Sequence, residues 1–448
     1  MPKKKTALTI EERLQQALVP AEKQPYEVPK NWVWVRLESV ASWGSGGTPS
    51  RKHEEYYNGD ILWIKTGELN NGWIYDTEEK ITDEGLKKSS AKLFPPYSVL
   101  IAMYGATIGK VAILGVPATT NQACACAVCN QSLLYMYLFY YCISQKNVFI
   151  EKGKGGAQPN ISQIILKQHP IPLPPLSEQQ RIVERIEELF AKLDEAKERL
   201  QEVADSFAVR KAAILHKAFT GELIGKQVTE LVPLENLVDL IKIGPFGSSL
   251  HESDYNENGI PLVNPKHIVQ QRIVPQSKIS ISDEKAEELS SYKLKENDIV
   301  LGRRGEMGRC APISNREENW ICGTGSMIIR LKKEYDAKLY SLILGSQATV
   351  TYLENSAVGS TLKNLNEKIV RKIPVPQFSN EEQHEIVRLI DDLLARERAA
   401  QQAAEQALAS IDLMKKSILA RAFRGELGTN KASEASALEL LRQVLAEN

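Results

Sequence analysis

Two long stretches of the chain contain neither glycine nor proline, and apolar residues recur in them with a helical period. They run from Ser177 to Thr220 and from Ser379 to Arg424. In the first, apolar residues alternate at intervals of four and three, which is the seam of a coiled coil. Its positions are Ile182, Ile186, Leu189, Leu193, Ala196, Leu200, Val203 and Phe207. Each stretch therefore predicts one helix of about 65 Å, at about 1.5 Å per residue.

Each predicted helix also has sequence signals at its two ends. A proline-punctuated extended segment precedes it, at 170–175 and at 373–377, because proline disfavours helix in the residue before it. A capping box then begins each helix, and a glycine suited to a left-handed C-cap ends it. The residues are Ser177 with Gln180 and Gly221 in the first helix, and Ser379 with Glu382 and Gly425 in the second.

The ends of the two helices have nearly the same sequence. KAFTGEL at 217–223 returns as RAFRGEL at 421–427, 204 positions later. Ahead of each helix lies a segment with short β-rich runs and turn residues, 30–169 and 232–372, which is typical of a mixed domain. The sequence therefore predicts a duplication in the order domain, helix, domain, helix.

The seam of the second helix is smaller than that of the first. It includes Ala400, Ala404 and Ala407, so a helix with larger side chains can approach it closely. We interpret this mismatch as antiparallel pairing of the two helices within one chain, with pairing between two chains as the alternative. The predicted fold is α+β: two mixed α/β domains separated by two long antiparallel helices in an intramolecular coiled coil, with pseudo-two-fold symmetry.

These patterns divide the chain into six segments. We expect an N-terminal helical arm at 1–29, a first mixed domain at 30–172, a first long helix at 173–223, a second mixed domain at 224–374, a second long helix at 375–427, and a linker with a C-terminal helix at 428–448. Both terminal segments contain a short amphipathic stretch, 8–18 and 436–448. Each stretch is expected either to pack on the chain itself or to contact a partner protein.

The composition indicates a soluble protein without an overall preference for polyanions. The 448 residues include 56 Lys and Arg against 56 Asp and Glu, so the formal net charge is zero and any basic surface must be local. No apolar run approaches the roughly 18 residues of a membrane span, and the first residues lack the apolar core of a secretory signal. We therefore expect a cytoplasmic location without membrane contact, where the cysteines stay reduced.

Basic residues accompany glycine-rich turns in both halves. GSGGTPSR ends at Arg51, and Lys52 follows; its backbone N–H groups could hold a phosphate, or its glycines could serve a loop with positive φ. GRRGEMGR at 302–309 contains three arginines, whose forked guanidinium groups suit a phosphate or the O6 and N7 atoms of guanine. A solvated turn is the alternative for this second motif.

Signals for catalysis or metal binding are weaker. FPPYS at 94–98 resembles a methyltransferase motif, but Phe94 cannot accept a hydrogen bond from the amino group of a base. Cys124, Cys126 and Cys129 form a cluster that suggests zinc, whereas a tetrahedral site needs four ligands. The alternation in ACACAV favours a strand with Cys124 and Cys126 on one buried face. The sequence therefore predicts no catalytic and no metal site.

The motifs and their duplicated order resemble the specificity subunit of type I restriction-modification enzymes. GGTPSR, GDILWIKTGEL, TNQACACAV and IPLPPLSEQQRIV carry the resemblance in the first half, and GPFGSSLHESDY, LGRRGEMGRCAPI and IPVPQFSNEEQHEIV carry it in the second. The resemblance implies two target-recognition domains that each read half of a bipartite, asymmetric DNA sequence, with the helices fixing the spacer. It also implies a non-catalytic chain that binds double-stranded DNA, two modification subunits and restriction subunits. Those partners carry the S-adenosylmethionine, Mg and ATP.

On this basis we expect DNA contacts in both domains. Lys65, Lys266 and His267 lie at equivalent points of the two halves, which favours a shared role. The full set is Arg51, Lys52, Lys65, Thr66, Tyr104, Lys110, Lys266, His267, Arg303, Arg304 and Arg309. Two other functions stay open: a coiled-coil assembly protein whose domains bind protein, and a self-sufficient DNA methyltransferase or nuclease.

Overall fold

The computed structural model describes residues 9–153, 159–357 and 364–447. The chain forms two compact units: Met1–Arg199 with Ala407–Asn448 is unit 1, and Leu200–Gln406 is unit 2. Each unit contains one mixed domain and a portion of both long helices. Among the described helices, none has the length and apolarity needed to cross a membrane.

The helices and strands follow one another in two similar series. Through the first long helix, the strands are β1 (Val33–Arg36), β2 (Ala41–Ser45), β3 (Tyr57–Ile64), β4 (Trp73–Ile74), β5 (Lys80–Ile81), β6 (Val99–Ala102), β7 (Val111–Leu114), β8 (Thr119–Thr120), β9 (Cys124–Cys129) and β10 (Pro170–Leu173). The helices there are α1 (Ile10–Ala17), α2 (Leu37–Val40), α3 (Asp83–Lys87), α4 (Tyr135–Ser144), α5 (Lys146–Lys152), α6 (Gln163–Lys167), α7 (Leu176–Asp205) and α8 (Phe207–Phe219). The later strands are β11 (Val232–Pro233), β12 (Val238–Ile243), β13 (Ile260–Val263), β14 (Ile268–Val269), β15 (Arg272–Ile273), β16 (Ser280–Ile281), β17 (Asp298–Gly302), β18 (Cys310–Pro312), β19 (Ile321–Cys322), β20 (Ser326–Leu331) and β21 (Pro374–Val375). The later helices are α9 (Asp283–Glu288), α10 (Ala337–Leu344), α11 (Gln347–Ser356), α12 (Glu367–Arg371), α13 (Asn380–Phe423) and α14 (Ala437–Glu447).

The mixed domain of unit 1 is built on a five-stranded sheet with the order β2-β9-β6-β7-β4. β6 pairs antiparallel with β7 and β9, whereas β4 pairs parallel with β7. Alternate residues of a strand point to opposite faces, and both faces of β6 are buried. Val99 and Ile101 pack with α4 in one apolar cluster, and Leu100 packs with Ile64 of β3 in another. The small sheet β5-β3-β8 and the pair β1-β10 complete the domain.

The mixed domain of unit 2 repeats this plan. Its main sheet has the order β12-β20-β17-β18, its second sheet the order β16-β13-β19, and β11 pairs with β21. Ile299 and Leu301 pack with α10 on one face of β17, and Val300 packs with Val263 of β13 on the other. The predicted duplication of a mixed domain is therefore confirmed.

One buried glutamine attaches the start of each long helix to its own domain. The side-chain amides of Gln179 and Gln383 each donate to two backbone carbonyls and accept from one backbone N–H. Their partners are Ser132, Pro174 and Leu134 for Gln179, and Glu334, Phe378 and Asp336 for Gln383, at 2.8 to 3.1 Å. A buried amide with its bonding capacity filled favours one geometry, so the glutamine anchors both helices in the same way.

The end of each long helix packs against the domain that precedes the other helix. In unit 1, the buried ring of Phe423, at the end of α13, contacts the rings of Tyr137 and Tyr141 at centroid distances of 5.2 and 5.0 Å. In unit 2, Ala218 near the end of α8 is buried in the apolar cluster around β17 and β20. These contacts require the helices to run in opposite directions.

Ion pairs between the helices have the same antiparallel register. Lys415 of α13 contacts Asp194 of α7 at 2.5 Å within unit 1. Arg210 of α8 contacts Glu397 of α13 at 3.0 Å within unit 2. From one ion pair to the other, the residue number increases along the first long helix and decreases along the second. The predicted antiparallel pairing within one chain is therefore confirmed.

Two details of the predicted first helix are wrong. The helix divides into α7 and α8 at Ser206, whose Oγ donates to the carbonyl of Val203 at 2.6 Å; such bonding to the preceding turn bends helices. In addition, α7 begins at Leu176, so Ser177 lies inside the first turn and forms no capping box, and Gln180 bonds Glu184 instead.

The signals at the other helix ends are confirmed. Ser379 and Glu382 form both hydrogen bonds of a capping box, at 2.8 and 3.3 Å. Gly221 and Gly425 have φ of 81° and 75°, a conformation that favours glycine over other residues. α13 is unbroken over 44 residues.

The terminal segments pack on unit 1 and on each other. Leu14 of α1 and Leu441 of α14 belong to the same apolar cluster as Phe423. Arg13 donates to the carbonyl of Leu445 at 3.1 Å, and Arg181 of α7 makes a two-pronged ion pair with Glu434 at 2.9 and 2.8 Å. Both terminal helices therefore pack on the rest of unit 1.

Candidate nucleic-acid interface

A glycine-rich turn joins two neighbouring strands of the main sheet in each domain. Residues 104–110 connect β6 to β7, and residues 304–309 connect β17 to β18. Each turn contains two glycines with positive φ, from 62° to 81°: Gly105, Gly109, Gly305 and Gly308. Tyr104 and Arg304 form equivalent isolated β-bridges, with Asn160 and Asn364. The turn is thus similar in the two domains but one residue shorter in unit 2, and its first exposed side chain changes from tyrosine to arginine.

A second loop follows the central strand of each smaller sheet. In unit 1, the backbone N–H of Lys65 donates to the carboxylate of Glu68 at 3.1 Å. In unit 2, the Nδ1 atom of His267 lies 3.2 Å from the backbone nitrogen of Asn264 and donates to the carbonyl of Leu262 at 2.8 Å. Lys65 therefore corresponds to Asn264, and Glu68 to His267. The predicted equivalence of Lys65 with Lys266 holds for the loop but not for the residue, since Lys266 occupies the position of Gly67.

The two loops adjoin within each domain. In unit 2, Arg309 donates to the carbonyl of Pro265 at 3.3 Å, and the ring of Pro265 lies where side chains at Gly302 and Gly325 would stand. In unit 1, Asn71 exchanges two hydrogen bonds with the backbone of Val111, at 2.8 and 3.3 Å. In each domain, the glycine-rich turn and the second loop thus form one continuous surface. We call it the loop surface of that domain.

Acidic residues hold two of the predicted cations in unit 1. Lys65 contacts Glu79 at 2.9 Å and Glu78 at 3.3 Å, and Arg51 contacts Glu79 at 2.7 Å. The hydrogen bond from Lys65, together with Arg51, holds the pKa of Glu79 below its ordinary value. The Arg51 guanidinium also lies 4.3 Å from the ring centroid of Tyr57. These cations are oriented by the protein, and a phosphate would compete with carboxylates for them.

The glycines of GSGGTPSR serve close packing, not positive φ. A side chain at Gly46 would stand 1.7 Å from the carbonyl oxygen of Thr120. The N–H of Gly46 donates to the hydroxyl of Thr120 at 3.2 Å, and the carbonyl of Gly47 accepts from the indole of Trp63 at 2.9 Å. Since the Gly46 N–H is used internally, it does not contribute to a phosphate cradle. The motif positions Arg51 and Lys52 at the surface.

The predicted residues of unit 2 fall into two groups. Arg303 is half-buried and donates to the carbonyl of Leu365 at 3.1 Å, and burial, with Arg304 nearby, lowers its pKa. His267 is 1% exposed, so its prediction as a surface contact is wrong: burial lowers its pKa, and it caps its loop. Lys266 and Arg304 are exposed, and Arg309 is half-buried beside Glu306.

Several predicted residues stay available for a ligand. Within residues 9–153, 159–357 and 364–447, no ion pair involves Lys52, Lys110, Lys266 or Arg304. Tyr104 is 41% exposed, and Thr66 is half-buried in its loop. The available residues lie on or beside the loop surfaces, so both domains present uncommitted cations.

The cysteine cluster is part of the core. Cys124 and Cys126 point to the same buried face of β9, as expected from the alternation. Burial raises the pKa of Cys126 to about 12, so its thiol stays protonated near neutral pH. In the described part of the chain, no group of three His, Cys, Asp or Glu side chains is arranged to hold a metal ion.

Comparison with known proteins identifies the duplicated domains. Residues 29–205 and 233–407 match the family of type I restriction modification DNA specificity domains. The chain belongs to this family. Both matched segments run from a specificity domain into the long helix after it.

Characterised relatives and solved structures agree with this assignment. The chain is 29% identical over 298 residues to the type I restriction enzyme MjaIX specificity subunit of Methanocaldococcus jannaschii, covering 62% of the chain and 68% of that protein. It is 25% identical to the EcoKI specificity subunit of Escherichia coli, covering 94% and 96%. The HsdS subunit structure from Thermoanaerobacter tengcongensis matches with a TM-score of 0.64 at 20% identity, over 90% of this chain and 100% of that chain. A subunit in a structure of a type I restriction-modification system matches with a TM-score of 0.62, also at 20% identity and over the same shares.

Arg303 and Arg304 are neighbours with opposite environments, which predicts different effects of the same substitution. Arg304→Ala should leave the thermal unfolding of the chain nearly unchanged, because exposed substitutions alter stability by less than about 0.5 kcal/mol. It should weaken DNA binding by about tenfold, within the range of one good arginine contact. Arg303→Ala should lower the free energy of unfolding by about 1–3 kcal/mol, because it removes the partner of a buried carbonyl.

Thermal unfolding of the chain and fluorescence anisotropy with duplex DNA, the latter in complex with the modification subunits, measure the two effects. Unaltered DNA affinity in the Arg304 variant would contradict the prediction that this side chain contacts the DNA. Unaltered stability in the Arg303 variant would contradict its structural role.

Proposed function

We propose that this non-catalytic specificity subunit reads a bipartite, asymmetric DNA sequence, with one half read by each mixed domain, 30–172 and 224–374. The observation that carries the proposal is the repeated loop surface, which has one backbone plan and two sets of side chains. The family assignment supports DNA as the ligand. We further propose that the subunit works in the cytoplasm, with the double-stranded DNA and its partner subunits.

Differences between the two loop surfaces support an asymmetric target. Tyr104 in unit 1 corresponds to Arg304 in unit 2, and Lys110 corresponds to Arg309. An arginine can contact O6 and N7 of guanine with two hydrogen bonds, whereas a tyrosine offers one hydroxyl and an apolar ring. Two domains of similar backbone plan but different side chains would select different base sequences.

The helices are proposed to fix the length of the unread spacer. Helix α13 extends over 44 residues, about 66 Å at about 1.5 Å per residue. One turn of duplex DNA spans about 34 Å, so a rigid element of this length suits two contacts separated by more than one turn. The buried glutamines and Phe423 attach the helices to the mixed domain within each unit.

Repeated exposed apolar residues on the helices support two docking sites for modification subunits. Val209 of α8 and Leu413 of α13 lie 204 positions apart, and they are 70% and 65% exposed. Apolar side chains this exposed, repeated at equivalent places, fit two copies of one partner. The S-adenosylmethionine, Mg and ATP of the reaction are assigned to the modification and restriction subunits.

The methylation pattern of DNA tests the proposed function. The chain and its modification subunit, produced together in a host lacking other DNA methyltransferases, should methylate adenines in one gapped motif with two different halves. Sequencing that detects modified bases measures the motif, and a host with the modification subunit alone is the control. A continuous or palindromic motif, or methylation independent of this chain, would overturn the proposal.

Charge placed at either exposed apolar position should remove one modification subunit. Val209→Asp and Leu413→Asp should each change the complex from two modification subunits to one, and the double variant should bind none. Native mass spectrometry measures the stoichiometry, and Leu231→Asp, at a 53% exposed position in a linker, is the control. Two bound modification subunits in both single variants would contradict these docking sites.

A further inference from the structure

Unit 1 exposes a cluster of aromatic rings that the proposed DNA contacts do not use. Trp73 stacks with Tyr75 at a centroid distance of 6.1 Å and contacts Tyr97 and Tyr135 edge-on at 6.1 and 5.9 Å. Tyr97 and Tyr135 also contact each other at 5.0 Å. We call these four residues the aromatic cluster. Trp73, Tyr75 and Tyr97 are 36%, 63% and 56% exposed.

The cluster is accommodated by the backbone of its own domain. The ring of Tyr75 passes 2.2 Å from the position that a Cβ would have at Gly115, so this glycine permits the ring to lie there. Contiguous exposed aromatic surface on a soluble domain marks a site of interaction, and tyrosine and tryptophan combine large contact areas with polar tips.

The backbone at Tyr97 is held in an unfavourable conformation. Its φ is 66°, and bulky residues rarely adopt this left-handed region. The corresponding residue of unit 2 is Asn297, with φ of 65°, and asparagine tolerates that region. Arg272 and Val274 stand where unit 1 has Trp73 and Tyr75. The fold therefore does not require the aromatic residues, and strain of this kind is typical of functional positions.

Helix α4 connects the aromatic cluster to the helix pair of unit 1. Tyr135 begins α4, and Tyr140 of the same helix contacts the ring of Phe190 in α7 at 5.9 Å. The ammonium of Lys415 in α13 lies 5.0 Å from that ring. The cluster thus lies beside the helices that carry Leu413, the proposed docking residue of this unit.

One carboxylate, that of Glu187, interacts with the aromatic cluster. Burial, then Tyr97 and the carboxylate of Glu187 in α7, raises the pKa of Tyr135. Glu187 is exposed and has a side-chain hydrogen bond with Tyr140, and no ion pair involves it within the described ranges. Ring faces beside a carboxylate attract a cation, whereas the same carboxylate repels the phosphates of DNA.

We propose that the aromatic cluster, with Glu187, binds an arginine- or lysine-bearing segment of the modification subunit that docks on unit 1. This inference rests on the proposed function and adds an asymmetry to it. Unit 2 lacks the cluster, so the modification subunit on unit 1 binds more tightly than the one on unit 2. The complex therefore assembles in two steps, with unit 1 occupied first.

Replacing Tyr97 by the residue of the other domain tests the proposal. Tyr97→Asn should keep or raise the temperature of thermal unfolding, because asparagine fits the left-handed backbone. It should weaken binding of the first modification subunit at least tenfold and leave the second unchanged. Titration calorimetry with purified modification subunit, added stepwise to the full chain, measures both affinities. Glu187→Gln should weaken the same step, and Val274→Ala in unit 2 is the control.

The outcomes separate this inference from the proposed function. If the wild-type chain supports gapped methylation but Tyr97→Asn and Glu187→Gln bind both modification subunits normally, the inference is overturned and the function stands. A loss of DNA affinity in these variants, with normal subunit binding, would also overturn it, because the surface would then serve nucleic acid. Absence of gapped methylation with the wild-type chain would instead overturn the proposed function.

Discussion

The structure depends on the attachment of each long helix at both of its ends. Gln179 and Gln383 bind the helix starts to the domains from which they emerge. Phe423 buries its ring among tyrosines of the first domain, and burial of such a side chain contributes about 1.5–3 kcal/mol. Each long helix is thus attached at its start to the domain before it and at its end to the mixed domain of the unit in which it ends. A duplicated sequence thereby becomes two equivalent recognition units with defined helix contacts.

The attachment has different chemistry at the two helix starts. In unit 1, Glu178 accepts from the indole of Trp32 at 2.7 Å and from the side chain of Asn430 at 2.8 Å, so segments from both ends of the chain stabilise α7. Burial raises the pKa of Glu178. In unit 2, the equivalent residue Glu382 pairs with Lys226 of the linker after α8 at 2.7 Å. Segments from both ends of the chain therefore hold the helix start in unit 1, whereas the linker after α8 holds the equivalent helix start in unit 2.

The sequence predicted the architecture because the architecture depends on local and repeated signals. Helical periodicity, glycine caps and the 204-residue repeat do not need tertiary contacts to be recognised. The environment of an individual cation, in contrast, can be recognised only from tertiary contacts. Lys65 and Glu79 are 14 positions apart, and nothing in the spacing indicates their ion pair. Arg303 and Arg304 look alike in sequence, but only in the folded domain does Arg303 bond the carbonyl of Leu365 while Arg304 stays exposed. The division at Ser206 is not apparent in the sequence, because a single serine does not interrupt the apolar period on which the helix prediction rests.

The central claim is that the paired helices set the distance between two independently reading domains. Insertion of one heptad into both helices, after Arg199 and after Gln406, keeps the coiled-coil faces aligned and lengthens the pair. Sequencing of modified bases in cells with the inserted chain and its modification subunit measures the spacer directly. The account predicts both half-sequences unchanged and a longer spacer, or loss of methylation where no such spacing fits. Full methylation of the original motif with its original spacer would contradict it.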